Sequence, residues 1–596
     1  MLDRFDDHND VSRSWEVFGG QLGTGCGNLS LGNSLYFGKP GYRIAHTMDL
    51  DTTNLRTLQF IVQLGSVQNT ATCRRPQDRS ENVFVQFSTN HGLAWSTLRE
   101  LNYQFFSHKP TAVELNLPKI AKSSTTSFRW WQPIGKKGRE KAQWAIDNVQ
   151  VLGNHKNSKG FHDTFNPIVI ENWFLTQHGI PRPGCASADK ALTFAADHTE
   201  EHYAETWDFE IQSATFLQYD INLGCGYHSN PFTVQLEFSI DKGRTWSLVS
   251  PPCMPPDVGC TSYSSGTVHT SDQYSNWTRI TVYLPHRAIS PSTRFRWIEV
   301  MKYSGHAWAI DNVYLGDACP WMCSGHGYCT GKKCLCDAGF KPPHCVPEKP
   351  LPCELRDTFD SFSNQTVWPE IYGGEISSRC GVLVSGTALV FYKEGVRMAV
   401  TQDLDLTAAQ YIQFTLKYGC HGSVPATITR GNGIFVQFSN NGGITWHLLK
   451  ELHFSAETAP QFYMIPLKDP TALTNATRLR LWQPITASTS VMQWAIDDFY
   501  VGGMIVKPNV LYDPLDLIPQ PDAWLFWPGG GMEDFCMSNK ARDSLVFSST
   551  EGERSLYTRD MTVMDDYVIQ FELKVGCGIT ISPEDPVSLQ YSSDQG

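Results

Sequence analysis

Phe87-Ser88-Thr89-Asn90-His91-Gly92-Leu93-Ala94-Trp95 decides the reading of this sequence, because it returns as Phe238-Ser239-Ile240-Asp241-Lys242-Gly243-Arg244-Thr245-Trp246 and as Phe438-Ser439-Asn440-Asn441-Gly442-Gly443-Ile444-Thr445-Trp446. A fourth copy begins at Tyr591-Ser592-Ser593-Asp594 and is cut by the end of the sequence. The residue types have physical reasons. An Asp or Asn accepts hydrogen bonds from turn backbone, a Gly supplies a positive φ, and a Trp packs over the turn as the chain returns. The element is a β-hairpin device, the Asp-box. Its serines fall at 88, 239, 439 and 592. Propeller blades would repeat it every 40 to 50 residues or so, so this spacing means one box per domain and a structural role.

Two further motifs set the register. Trp-Ala-Ile-Asp begins at Trp144, Trp308 and Trp494, and each unit opens on Asp3-Arg4-Phe5, Asp163-Thr164-Phe165, Asp357-Thr358-Phe359 or, degraded, Asp513-Pro514-Leu515. Alternating runs such as Phe128-Arg129-Trp130-Trp131-Gln132-Pro133 and Leu479-Arg480-Leu481-Trp482-Gln483-Pro484 read as half-buried strands with an aromatic face. No long segment of 3.6-residue period occurs. The expected fold is all-β: tandem antiparallel sandwiches of jelly-roll type over residues 1–153, 161–317 and 354–503, a truncated one over 510–596, and a small cysteine-rich module over 318–346.

Composition agrees with this class. The 596 residues are 18% charged and 12% aromatic, with 47 Gly and 34 Pro, a turn-rich and aromatic-rich mixture. A formal net charge of -12 argues against a general nucleic-acid binder, whose affinity rests on clustered Lys and Arg. No apolar run is long enough to span a bilayer. The first residues lack the basic and then apolar segments of a secretory signal. Sequons at Asn28, Asn276, Asn364 and Asn475 and a dense cysteine cluster point the other way, to a secreted chain. Both are reconciled if the sequence is a piece of a longer secreted protein.

Six of the 17 cysteines lie between Cys319 and Cys345. Their spacing resembles that of an EGF-like module, and the resemblance implies Cys319 with Cys329, Cys323 with Cys334, and Cys336 with Cys345. So small a module depends on its bridges. It lacks paired C-x2-C zinc knuckles and the acidic run of calcium-binding EGF domains, so neither metal is expected inside it. By repeat position the others pair as Cys26 with Cys73, Cys185 with Cys225, Cys380 with Cys420 and Cys536 with Cys577, with a local pair Cys253 and Cys260. Cys353 is left over, a candidate for an intermolecular disulfide and a covalent homodimer, or a free thiol.

Asp-box sandwiches in tandem with an EGF-like module between two of them resemble the reelin family of large secreted matrix glycoproteins. A repeat of that family runs subrepeat A, EGF-like module, subrepeat B, which maps onto 161–317, 318–346 and 354–503; residues 1–153 then resemble a preceding subrepeat B and 510–596 the start of the next A. The resemblance implies an extracellular matrix signal that governs neuronal migration, positioning and cortical layering by binding lipoprotein receptors of the LDL-receptor family. Such receptors grip exposed lysines with acidic, calcium-caged modules. Lys302, and the stretch Lys136-Lys137-Gly138-Arg139-Glu140-Lys141, occupy comparable loops, where a plain solvated loop is the alternative.

The resemblance also implies structural calcium. The natural oxygen donors are the terminal-strand acids Asp147, Asp311 and Asp497 with the opening acids Asp3, Asp163 and Asp357, which could share an ion if first and last strands meet. The competing reading is that these acids only cap turns. His198, Glu200, Glu201 and His202 form a weaker candidate for zinc. Serine protease activity is credited to the family, yet no G-x-S-x-G or G-D-S-G-G segment occurs. A sialidase would need convergent arginines, and Arg129, Arg296 and Arg480 belong to different domains. A binding protein is thus favoured over a hydrolase, with a passive matrix or adhesion rod as the third reading.

Overall fold

In the computed structural model the described residues are all except 1, 7, 28, 30–31, 67–69, 108, 135–140, 153–157, 170–171, 197–201, 227–230, 254–265, 301–305, 361–365, 385, 421–429, 454–459, 484–492, 503–509, 516–518, 520–522, 528, 535, 537–543, 549–553, 578–585 and 594–596. Strands dominate, as the alternating runs predict. In the first sandwich one sheet runs in the order Gln21–Gly23, Ser34–Phe37, Trp144–Leu152, Thr57–Leu64, Thr111–Asn116. The facing sheet runs Trp15–Phe18, Arg43–Thr47, Ser127–Gln132, Val83–Ser88, Ser96–Leu101. All pairings are antiparallel.

The second and third sandwiches repeat this order. Their central strands are Trp308–Asp317 and Trp494–Gly502 in one sheet, and Arg294–Val300 and Arg478–Gln483 in the other. Residues 319–347 form two small ladders, Gly327–Cys329 with Cys334–Cys336 and Phe340–Lys341 with Val346–Pro347. Beyond the third sandwich, Trp524–Phe526 pairs with Tyr557–Thr558 and Gly530–Glu533 with Ser544–Phe547. The chain divides into two compact units, residues 1–251 with 266–318, and residues 252–265 with 319–596.

Each core is built on the Trp of Trp-Ala-Ile-Asp. Trp144, Trp308 and Trp494 are fully buried, and each stacks on a Phe of the neighbouring strand with 3.9 Å between ring centroids: Phe37, Phe194 and Phe391. Burying one indole removes on the order of 200 Å² from water, about 5 kcal/mol at 25 cal/mol per Å². The next residue but two, the Asp, sits at a β-bulge where the following residue takes positive φ: Asn148 (47°), Asn312 (48°) and Asp498 (49°). Alternation in Ser127–Gln132 sends Phe128 and Trp130 inward and leaves Arg129 and Trp131 on the outer face.

The opening Asp closes each sandwich. Its short strand pairs with the terminal one, Asp3 opposite Val149, Asp163 opposite Val313 and Asp357 opposite Phe499. One carboxylate oxygen accepts the N–H of the residue two further on, Phe5, Phe165 or Phe359, at 2.9, 2.8 and 2.8 Å. Each of these phenylalanines is held at positive φ, 56°, 54° and 52°. The other oxygen accepts a buried indole N–H, from Trp15, Trp173 and Trp368 at 2.6, 2.8 and 2.8 Å. Asp513 does the same for Leu515 and Trp524.

Seven disulfides join the described cysteines: Cys26–Cys73, Cys185–Cys225, Cys319–Cys329, Cys323–Cys334, Cys336–Cys345, Cys380–Cys420 and Cys536–Cys577. Cys253 is also disulfide-bonded, and Cys260, its expected partner, lies outside the described residues. Cys353 is free and exposed.

Asp357→Ala should therefore strand two donors, the Phe359 amide and the Trp368 indole. At about 1–3 kcal/mol for each buried unmet donor, the third sandwich loses about 3 kcal/mol, and Asp357→Asn about half of that. Urea unfolding followed by Trp fluorescence measures this, and a loss below about 0.5 kcal/mol would show that the carboxylate does not hold the turn.

Candidate functional site

The Asp-box hairpins are held from within. Ser88, Ser239 and Ser439 each accept, through Oγ, the N–H of Gly92, Gly243 and Gly443 at 2.9, 2.8 and 2.8 Å. Asn90, Asp241 and Asn441 accept the N–H of Ala94, Thr245 and Thr445 at 2.9, 2.9 and 3.0 Å. These bonds pull Asp241 down to about 2, with the Thr245 amide as the largest cause. The hairpin Trp then carries an arginine on its face: Arg129 over Trp95, Arg296 over Trp246 and Arg480 over Trp446, at 4.2, 4.1 and 4.2 Å. Each guanidinium is anchored by the neighbouring strand, through Gln86, Glu237 and Gln437. These arginines serve their own sandwiches and do not converge on a common ligand.

The acids expected to hold calcium divide into two groups. Asp3, Asp163 and Asp357 are engaged by the turn amide and the indole. Asp497 is fully buried and accepts from the Asp498 and Val384 amides at 2.8 and 3.0 Å. Asp147 accepts from the Asn148 amide at 2.7 Å. Asp311 differs, although it too accepts the next amide, that of Asn312, at 2.7 Å. It faces another acid, Asp220, directly across the ladder, where Asp147 faces Ile61 and Asp497 faces Thr415.

A cavity of about 540 Å³ opens beside that pair, lined by Asp189, Asp220, Asp311, Asn166, Thr164 and Ser187 among others. Burial, with the negative charges of Asp220, Asp189 and Asp163, raises Asp311 to about 7 against the pull of the Asn312 amide. Like charges opposite each other on a ladder repel, and an all-oxygen donor set suits a hard cation. Among the described residues, the one set of three metal-capable side chains converging within 4.8 Å is Cys319, Cys323 and Cys334. Those sulfurs are consumed in disulfides. Asp220 and Asp189 went unnoticed in the sequence, where Asp220 sits inside an ordinary alternating strand.

Of the zinc candidates, His198, Glu200 and Glu201 lie outside the described residues. His202 is buried, with Nδ1 3.0 Å from Glu299, and the other Glu299 oxygen meets His306 Nδ1 at 2.5 Å. Burial would raise the Glu299 carboxyl, but its bonds to His202 and His306 prevail and lower it. Glu299 thus bridges two histidines, of which His202 is fully buried. Lys302, the stretch 136–140, Asn28 and Asn364 lie outside the described residues, whereas Asn276 and Asn475 are exposed.

The cysteine-rich module meets the third sandwich at a second charged cluster. His326, stacked on Phe340 at 3.8 Å, places Nε2 3.2 Å from Asp403, which also accepts Arg478 Nε and Nη2 at 2.9 and 2.6 Å. Burial alone would raise Asp403, but the His326 and Arg478 bonds outweigh it and hold the carboxyl well below the usual range.

A family profile described as Reelin subrepeat B matches residues 19–152, 178–316, 373–502 and 529–596, most of the chain. The chain belongs to the reelin subrepeat family. The one description covers all four reelin-type stretches, including 178–316, which the sequence reading assigned to type A. Solved structures similar to the chain include a tandem of family 22 carbohydrate-binding modules from Paenibacillus barcinonensis, at 9% identity over 53% of this chain and 97% of that one, with a TM-score of 0.19. Another is a cleaved adhesin domain of Lys-gingipain from Porphyromonas gingivalis, at 12% identity over 26% of this chain and 99% of that one, TM-score 0.19. No helix among the described residues is long and apolar enough to cross a membrane.

Asp403 supplies a pH test. A carboxyl depressed in the folded state stabilises above its unfolded value near 3.9, and the contribution is lost as pH falls through the folded value. The stability of the third sandwich should fall steeply below about pH 4 in the wild type. Asp403→Asn should lose about 3 kcal/mol at pH 7 and then decline less on acidification. Parallel pH profiles for the two proteins would remove Asp403 from this role.

Proposed function

We propose that this reelin-repeat chain acts as part of a secreted extracellular matrix signal that binds lipoprotein receptors of the LDL-receptor family on neurons and so directs neuronal migration and layering. The family match over four stretches carries the reading. A disulfide in each sandwich supports an oxidising, extracellular setting. Lys302 is the proposed docking lysine. The exposed thiol of Cys353 suits an intermolecular disulfide between two copies. Catalysis is not part of the proposal: the Asp-box serines are spent on turn amides.

Calcium belongs to the same reading. Asp311 and Asp220 would hold it in the second sandwich, with Asp189 and the oxygens of Thr164, Asn166 and Ser187 around the same cavity. When bound, the ion would neutralise the cross-strand acid pair and tie the opening turn to the terminal strand. Asp3, Asp147, Asp357 and Asp497, without a second acid opposite, fit turn capping better.

Two measurements test this. Surface-plasmon binding of the chain to lipoprotein receptor ectodomains, with and without calcium, should show saturable binding that Lys302→Ala weakens at least tenfold. No binding, or an unaltered affinity for the variant, would contradict the docking assignment. For the metal, Asp220→Asn should change sign with calcium. In chelator it relieves repulsion and raises Tm by a few degrees, whereas in millimolar calcium it lowers Tm below the wild type. A wild-type Tm that calcium leaves unchanged would remove the ion.

A further inference from the structure

The core of the second sandwich departs from its sisters at one pair of side chains. The strand Thr215–Asn222 turns Tyr219 inward, where the first and third sandwiches bury Phe60 and Phe414. Register fixes the match, because each of these residues precedes the one that faces the bulged Asp. On the other sheet His269 faces Val234 across the ladder, and its place is taken elsewhere by Leu101 facing Val83 and Leu452 facing Ile434. Where two sandwiches bury a Phe and a Leu, the second buries a phenol and an imidazole. Tyr219 and His269 are at most 1% exposed, with the hydroxyl 2.6 Å from Nε2.

The strand that carries the imidazole differs as well. Leu101 and Leu452 end unbroken six-residue edge strands, Ser96–Leu101 and His447–Leu452. In the second sandwich that edge is split into Ser247–Leu248 and Val268–Thr270, both paired with Thr233–Ser239. His269 thus sits in the middle of three residues at a sheet edge. So short an edge belongs to the low-stability end of a fold, and the buried ring adds to its hold.

No charge beside that ring offsets a proton on it. Its neighbours are Tyr219 from the facing sheet, Tyr274 from the turn that follows, with ring centroids 4.8 Å away, and Val234 from the adjoining strand. Asp220 and Glu237, on those two strands, alternate to the opposite faces. The acid in the same row, Glu299, lies on the far side of Val234 and is held by His202 and His306. Burial alone lowers the imidazole, to about 3, with no part from Glu299 or from Asp272 of the turn.

We propose that Tyr219 and His269 form an acid-operated latch, which holds the edge strand Val268–Thr270 on the second sandwich at neutral pH and releases it on acidification. A neutral ring stays in the core against the Tyr219 hydroxyl. A protonated one would carry its charge into an apolar site, so it leaves for water and takes the short strand with it. A histidine held neutral in the closed form and free to protonate in the open one stabilises the closed form fully above about pH 6.5. Below that, the closed-to-open ratio falls about tenfold per pH unit until the value of the buried ring is reached. The first and third sandwiches carry Leu at this place and have no ring there to protonate.

Hydrogen exchange of the whole chain, read by mass spectrometry as protection factors one pH unit above and one below that value, tests the latch. Protection at Val268–Thr270 and at the facing Thr233–Gln235 should drop about tenfold, while Ser96–Leu101 and His447–Leu452 keep theirs. The double variant Tyr219→Phe, His269→Leu installs the sister pair and should lose this pH dependence. Wild-type protection that pH leaves unchanged, or a loss that persists undiminished in the double variant, overturns the proposal. Should the variant not fold, ring NMR of the wild type labelled at histidine nitrogen decides. His269 should keep a neutral-ring signal as long as the strand is protected, and a ring that titrates near its ordinary value with the strand still protected overturns the latch.

Discussion

One carboxylate closes each sandwich, buried at Asp3 and Asp163 and half-buried at Asp357. The opening Asp grips, with one oxygen, an amide two residues away on a phenylalanine held at positive φ, and with the other the indole N–H of a tryptophan ten to twelve residues on. A residue with a Cβ is rarely left-handed, so the turn needs that bond. The indole, for its part, would be a costly orphan inside the core. Because the same short strand lies along the terminal strand, the carboxylate fixes where chain start and chain end of each unit meet. The bulged Asp of Trp-Ala-Ile-Asp, the Trp–Phe stack and the acid pair at Asp311 all lie along the strand positioned this way.

On this shared skeleton, differences at single positions separate the units. A residue opposite the bulged Asp is Ile61 in one sandwich, Thr415 in another and Asp220 in the third. Only the last of these three sets two carboxyl side chains opposite each other. The outward sheet faces show the same economy: the first and third sandwiches share their register, yet Phe18 is exposed and Trp131 half-buried in one while Met398 and Trp482 are buried in the other. Clusters such as His326–Asp403–Arg478 and His202–Glu299–His306 tie separate segments of the chain together.

Much of this was legible in the sequence because it is repeated. The Asp-box, the Trp-Ala-Ile-Asp strand and the opening Asp recur in order, and alternation gave the strands their inner and outer faces. What escaped notice depends on contacts across unequal gaps. The indole partner of the opening Asp comes after 12, 10, 11 and 11 residues, a drift that hides it from any fixed-spacing motif. Arg129, Arg296 and Arg480 stood out in the sequence only as arginines of separate domains, and each is laid on its own hairpin Trp. Asp220 was hidden because a single polar residue in a strand is ordinary until its neighbour across the ladder is known.

The central claim is that the opening carboxylate, and not packing alone, holds each sandwich shut. Native-state hydrogen exchange of the indole N–H groups of Trp15, Trp173 and Trp368, resolved by NMR on the chain labelled at tryptophan nitrogen, tests it most directly. The account predicts that these three protons exchange only through unfolding of their sandwich, with protection equal to that of the central-strand amides. Exchange at rates typical of local fraying, while the central strands stay protected, would contradict it.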